Sequence, residues 1–315
     1  MCFSILSLNS TRIVYSTLQN VCRIDNVLFS ECKISSNEHG GAICFNNVTT
    51  SLDIVFTTFY SCQTTYVNCN GGAIFYLSFS KHLRIESSCF SCCLSEYRGP
   101  CIYSNAKNGN FFVNVAVHKC PDGFLLNSQY PLQIRDGFIS MDKINVSNNY
   151  PKYYSAGLLI HIGTGFNLGF SAIANCRAGE SCVIDIQNFI GDQNGFSINV
   201  VNNSFQFSTH GILYSYNSNP VLSFCVFSQN YEPLFRGEGN ITLNNCAFDK
   251  YTYTLKAPIL NNCILSSINV STNSLSLIKY LTCQRLPVSL TLLSRIDYMK
   301  SFLGLFAFLM CESYN

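Results

Sequence analysis

Acids, histidines and cysteines are the side chains of this 315-residue chain that could do chemistry, and their spacing scatters them. Cleaving a polysaccharide takes two carboxyl groups about 5–9 Å apart, or carboxylates that hold calcium through several oxygens. The acids here stand singly: Asp25, Glu31, Glu38, Asp53, Glu86, Glu96, Asp122, Asp136, Asp142, Glu180, Asp185, Asp192, Glu232, Glu238 and Asp249 precede the C-terminal segment. Asp25, Asp53 and Glu86 approach a common register at spacings of 28 and 33 (53 − 25 and 86 − 53). Asp185, Asp192 and Arg177 form the one cluster a catalytic reading would use. His39, His82, His118, His161 and His210 are dispersed and read as turn or surface residues. Of the 18 cysteines, Cys89, Cys92 and Cys93 come nearest to a metal-ligand spacing, but no second pair completes a zinc set. Phosphate loops and nucleophile elbows are absent from the sequence. The reading is therefore non-catalytic, with no cofactor and no metal.

The elements that would position any of these groups are repeats. Gly40-Gly41-Ala42-Ile43 recurs as Gly71-Gly72-Ala73-Ile74, 31 residues on (71 − 40), and in worn form as Gly99-Pro100-Cys101-Ile102. An apolar residue followed three places later by Cys or Asn runs in step: Phe29…Cys32, Phe59…Cys62, Phe90…Cys93, Val117…Cys120, Val146…Asn149, Ile173…Cys176, Val200…Asn203 and Phe227…Asn230. The last members average about 28 residues apart, from (230 − 32)/7. A fixed period of that size marks a repeat array. The runs within it, such as Leu52-Asp53-Ile54-Val55-Phe56 and Phe196-Ser197-Ile198-Asn199-Val200, are short, alternating and bounded by Gly, Asn and Ser, so they read as strands. Short strands repeated many times predict an all-β parallel β-helix of about nine coils, each coil pairing with the next about 4.8 Å away. Gly and Asn suit its corners, where φ is positive. Residues 1–22 read as a partial N-terminal coil or cap, 23–275 as the coils, and 276–315 as an apolar C-terminal tail or cap, in part helical.

The pairing of Gly-Gly-Ala-Ile with Phe-x-x-Asn resembles the polymorphic outer membrane proteins of chlamydiae and the similar surface-protein repeats of trichomonad protists. Both Gly-Gly-Ala-Ile copies match in full, and Phe227…Asn230 carries both letters of the second motif. Cys32, Cys62 and Cys93 replace its Asn. The clear resemblance covers roughly residues 23–105, and weaker periodicity reaches about 250. It implies a right-handed β-helix exposed at a surface and engaged in adhesion, and it carries over no catalytic residue. The bacterial members end in a transmembrane β-barrel that this sequence does not show.

Bulk properties fit that expectation. Charged residues are 11% of the chain and the net charge is +2, well below the usual quarter, so nucleic acid is not an expected partner. A host-cell surface protein or a glycan is. Cell-surface or secreted placement makes Asn9, Asn47, Asn240 and Asn269 candidate glycosylation acceptors. Asn145 and Asn202, in the same Asn-x-Ser/Thr setting, lie near the repeat register and are expected to be buried. The cysteines at one repeat position read equally as disulfide staples between coils or as stacked buried thiols. The N-terminus carries no convincing signal peptide and no polar cap, so the sequence reads as a piece of a longer array. Membrane association would come through residues 301–311, whose apolar run is too short to span a bilayer as a helix, or through a segment outside the chain. Two competing readings are a pectin-lyase-like polysaccharide-active enzyme and a truncated, functionless fragment.

Overall fold

The computed structural model describes residues 2–9, 12–15, 20–46, 48–121, 128–206 and 210–265, all within one compact unit, Met1–Cys283. The C-terminal segment from 276, including residues 301–311, lies outside the described residues. Every element described is a β-strand, and the strands pair in parallel from coil to coil. The fold is a parallel β-helix of the right-handed type.

Each coil lays down one strand on a short wall, among them Ile43–Phe45, Ile74–Ser78, Ile102–Ala106, Leu158–Gly163 and Ile184–Phe189. These stack into a 10-stranded sheet. The chain then turns onto a long wall as two strands in succession, such as Ser51–Val55 with Thr58–Tyr60 and Leu83–Glu86 with Cys89–Ser91. Those stack into a 20-stranded sheet. A third edge carries two-residue strands, including Gln63–Thr64 and Leu94–Ser95.

Period-2 alternation decides which side chains go inside. On the short wall the inward column runs Ile43, Ile74, Ile102, Leu132, Leu158, Ile184, Leu213, Phe235. On the long wall Ile24, Ile54, Ile85, Phe112, Met141 and Leu168 form another. Phe29, Phe59 and Phe90 stack face to face, with centroids 5.0 and 4.6 Å apart and rings 2° from parallel. Each such side chain, fully buried, contributes roughly 1.5–3 kcal/mol, which is how an 11% charged chain holds a core one coil at a time.

Corners are set by left-handed residues. Asn26, Phe56, Ser87, Asn114, Lys143, Phe170, Ser197, Phe224, Asn245 and Asn262 share one corner of the long wall, with φ between 44° and 59°. Glu31, Ser61, Cys92, Lys119, Asn148, Asn175, Asn202 and Gln229 share the next, with φ between 53° and 57°. The path along the long wall has constant length, with the two corners five residues apart (61 − 56, 92 − 87, 175 − 170). Seven residues separate the inward residue that opens the long wall from the apolar motif residue in successive coils (29 − 22, 59 − 52, 90 − 83, 146 − 139, 173 − 166). The return from the Cys/Asn position to the short wall is variable, 12 residues in one coil (74 − 62) and 5 in another (235 − 230).

Gly-Gly-Ala-Ile opens the short wall. Gly40 and Gly71 have φ of 71° and 70°, a region a side chain rarely adopts. At Gly72 the second constraint is contact: an added Cβ would run into the carbonyl oxygens of Leu94 and Pro100. The motif is thus a conformational and steric requirement of stacked coils, and Gly41, Ala42, Ile43, Ala73 and Ile74 are buried with it.

Candidate binding faces

The repeat-defining side chains face inward. Cys32, Cys62, Cys93, Cys120, Asn149, Cys176, Asn203 and Asn230 are all buried and form one hydrogen-bonded column. Its members donate to the carbonyl of the apolar motif residue one coil earlier: Cys62 Sγ to Phe29 O at 3.6 Å, Cys93 Sγ to Phe59 O at 3.6 Å, Asn203 Nδ2 to Ile173 O at 2.9 Å and Asn230 Nδ2 to Val200 O at 2.7 Å. They also accept a peptide N–H from the neighbour in the previous coil: Cys93 N to Cys120 Sγ at 3.2 Å, Cys120 N to Asn149 Oδ1 at 2.7 Å, Cys176 N to Asn203 Oδ1 at 2.9 Å. Thiol and amide fill one role here because each offers both a donor and an acceptor. The five cysteines of the column are free thiols. Burial pushes Cys62 and Cys120 up, and Cys176 to about 12. These residues hold the coils together and make no ligand site.

Chemistry-bearing residues outside the column are dispersed by the fold. Cys93 points in, while Cys92, at a left-handed corner, is partly exposed. Among the described residues no group of three or more His, Cys, Asp or Glu is arranged to hold a metal. Asp185 sits on the outer face of the short wall between Leu159 and Tyr214. It is 2% exposed and accepts a hydrogen bond of 2.7 Å from Gln187 Nε2, and burial raises its pKa to about 7. Asp192 lies in the exposed turn after Phe189, and Arg177 lies in the short strand Arg177–Ala178, so the three do not converge. His161, on the same wall, is pushed down to about 4 by burial and by Arg135 and Arg98. Asp25 and Glu86 share a register with Val55 between them, whereas Asp53 is stacked between Arg23 and Arg84.

One arrangement is not legible in the sequence. Ser51 Oγ lies 3.2 Å from His82 Nδ1, and His82 Nε2 lies 3.2 Å from Asp53 Oδ1. The order suggests a nucleophile, yet Ser51 is 3% exposed. The nearby N–H groups of Ser51 and Leu52 are committed to Asn20 O and His82 O and cannot receive an oxyanion. The set links two coils. Its only sequence signal is a spacing of 31 (82 − 51), one coil length.

Of the glycosylation candidates, Asn240 is exposed; Asn9 lies in the strand Cys2–Asn9; Asn47 and Asn269 lie outside the described residues. Asn202 overturns its expectation. It is exposed at the second corner, donating to Asn175 Oδ1 at 2.7 Å, and its neighbour Asn203 is the buried one. A shift of one residue exchanges the two faces of a strand. Asn145 is partly buried.

The outward rows of the long wall divide it in two. Its N-terminal half displays Arg23, Asp25, Asp53, Arg84, Glu86 and Asp142, with Arg23–Asp25 and Arg84–Glu86 pairs at 3.2 and 2.8 Å. From Gly165 onward its strands (Gly165–Gly169, Ala172–Ala174, Gln193–Phe196, Asn199–Val201, Val221–Ser223, Val226–Ser228, Thr242–Asn244, Ala247–Phe248, Ile259–Asn261, Ile264–Leu265) contain no charged residue. This half shows amides and hydroxyls with three exposed aromatics, Phe170 at 58%, Phe196 at 42% and Phe224 at 53%.

Comparison with protein-family models, with curated proteins and with solved structures gives no match. The class that the chain's own geometry defines is the parallel β-helix.

Proposed function

We propose that this protein is a non-catalytic repeat scaffold, placed at a cell surface or secreted, that makes adhesive contact with a host-cell surface protein or glycan through its side wall. Fold alone does not give function. The observation that carries this reading is the charge-free half of the long wall, a broad exposed face that combines amides, hydroxyls and large apolar side chains. Such a patch on a water-exposed surface marks an interaction site. The resemblance of Gly-Gly-Ala-Ile with Phe-x-x-Cys/Asn to surface repeat proteins supports the same reading. Purified chain is expected to coat host cells or extracellular matrix saturably, and coated beads are expected to resist washing. Beads that detach like uncoated ones would remove the proposal.

A second reading, a polysaccharide-active enzyme of the β-helix type, would use Asp185 as general acid, since burial raises its pKa to about 7; at 2% exposed it meets a substrate only if the short wall opens around it. That reading requires depolymerisation of a glycan that Asp185→Asn abolishes.

A further inference from the structure

A corner that demands positive φ is best filled by Gly, Asn or Asp, and a bulky aromatic there is an outlier. The long-wall corner carries Asn26, Asn114, Asn245 and Asn262, or Ser87, Ser197 and Lys143, in most coils. Phe56 (φ 49°), Phe170 (φ 44°) and Phe224 (φ 56°) break the rule. Their rings recover nothing by packing inward, since all three are more than half exposed. Phe56 stands four coils from Phe170, but Phe170 and Phe224 belong together. Between them stands Phe196, the outward residue that ends Gln193–Phe196. Its ring meets Phe170 at 5.4 Å and Phe224 at 5.3 Å, edge to face in both cases. Three successive coils thus present one row of aromatic rings, held in place by their mutual contacts, with its two ends at sites where folding alone would favour Asn. Strain retained at an exposed position points from the outlier to function.

We propose that the row Phe170–Phe196–Phe224 is a stacking site for an uncharged oligosaccharide laid along the solenoid axis. This rests on the adhesive reading above and names its ligand. Rings offer an apolar face to the C–H face of a sugar. Amides flank them to meet hydroxyls: Asn167 and Asn194 on one side, linked at 3.5 Å, and Asn175 and Asn202 at the next corner, linked at 2.7 Å. The strands of this half hold no charged side chain, and the one cation near the row, Lys143, stands a coil before Phe170 at the same corner, so a carboxylated or sulfated glycan meets no charge along the three rings. A protein partner would be expected to meet arginines among the aromatics, and an anionic membrane a basic cluster. The strands are paired on both sides, which closes the wall to peptide added as a strand. The pre-set rings lower the ordering cost of binding.

The test uses the full chain, an array of neutral oligosaccharides, and the same sugars in sulfated and uronate form. Phe170→Asn and Phe224→Asn install the residue the same corner uses elsewhere, so both variants are expected to fold with a melting temperature no lower than that of the parent. Binding to at least one neutral oligosaccharide is expected to fall tenfold or more in each. Phe56→Asn, at the same corner but remote from the row, is expected to leave it unchanged. Unaltered binding in the two variants, preference for the charged sugars, or no neutral sugar bound would each overturn the proposal. If the chain still adheres to cells in those cases, the adhesive reading survives and only its sugar ligand is lost; if it adheres to nothing, both fall.

Discussion

At the scale of single residues, the solenoid sorts side chains by one rule. Inward positions repeat and outward positions vary, so a polar side chain takes its properties from the face it happens to occupy. Asp185 has an outward position but is 2% exposed, and desolvation moves its pKa from 3.8 to about 7. Between those values the unfolded chain has already released the proton that the native chain keeps. This group's contribution is therefore whole below about pH 4, falls as pH rises, and levels off above 7. Three pKa units at 1.36 kcal/mol each correspond to about 4 kcal/mol. Asp185→Asn keeps an acceptor for Gln187 and removes the titration. Urea unfolding of the variant is expected to show a smaller loss of stability from about pH 4 to about pH 8 than the parent; equal losses would show that Asp185 is not held neutral. The corner phenylalanines are the opposite case. A left-handed bulky residue costs on the order of 1–2 kcal/mol, and that cost is borne at Phe170 and Phe224 with the rings in water.

At the scale of the element, a coil is defined by two corners and one hydrogen-bonded column. Asn203 takes Cys176 N–H on its oxygen and gives its amide to Ile173 O. Asn203→Ala leaves both backbone groups unmatched in the interior, at about 1–3 kcal/mol each. Asn203→Cys is expected to be much milder, because Cys120 receives Cys93 N–H in the same position. Thermal denaturation of the two variants checks the order, and a Cys variant as unstable as the Ala variant would refute the equivalence. The exchange is legible in the amino-acid sequence, as Cys and Asn alternating at one period, because the column imposes the same demand on every coil. Gly-Gly-Ala-Ile is legible for the same reason. Outward groupings are not. Asp25 and Glu86 fall in register while Asp53 falls two residues away, and exposed Asn202 differs from buried Asn203 by one step. The aromatic row is hidden in the sequence because Phe170, Phe196 and Phe224 follow no inward period. Only the left-handed corner, invisible in residue types, brings them side by side.

At the scale of the whole molecule, length variation is greatest in one stretch of the coil. The span from the inward residue that opens the long wall to the apolar motif residue keeps seven residues from coil to coil, whereas the return to the short wall ranges from 12 residues to 5. A Gly-Ser insertion after Glu96, within the variable return, is expected to leave the melting temperature within a few degrees of the parent. The same insertion after Glu86, inside the constant span, is expected to disrupt the fold, since it would shift Phe90 and Cys93 out of their columns. Similar melting temperatures for the two insertions would dismiss the distinction. Divergence of such a chain is then channelled. One flank keeps its lattice while the opposite rim absorbs added or lost codons, so a lineage can remodel loops on that rim without re-solving the problem of stacking, and a designer grafting a foreign loop has the same rim to use.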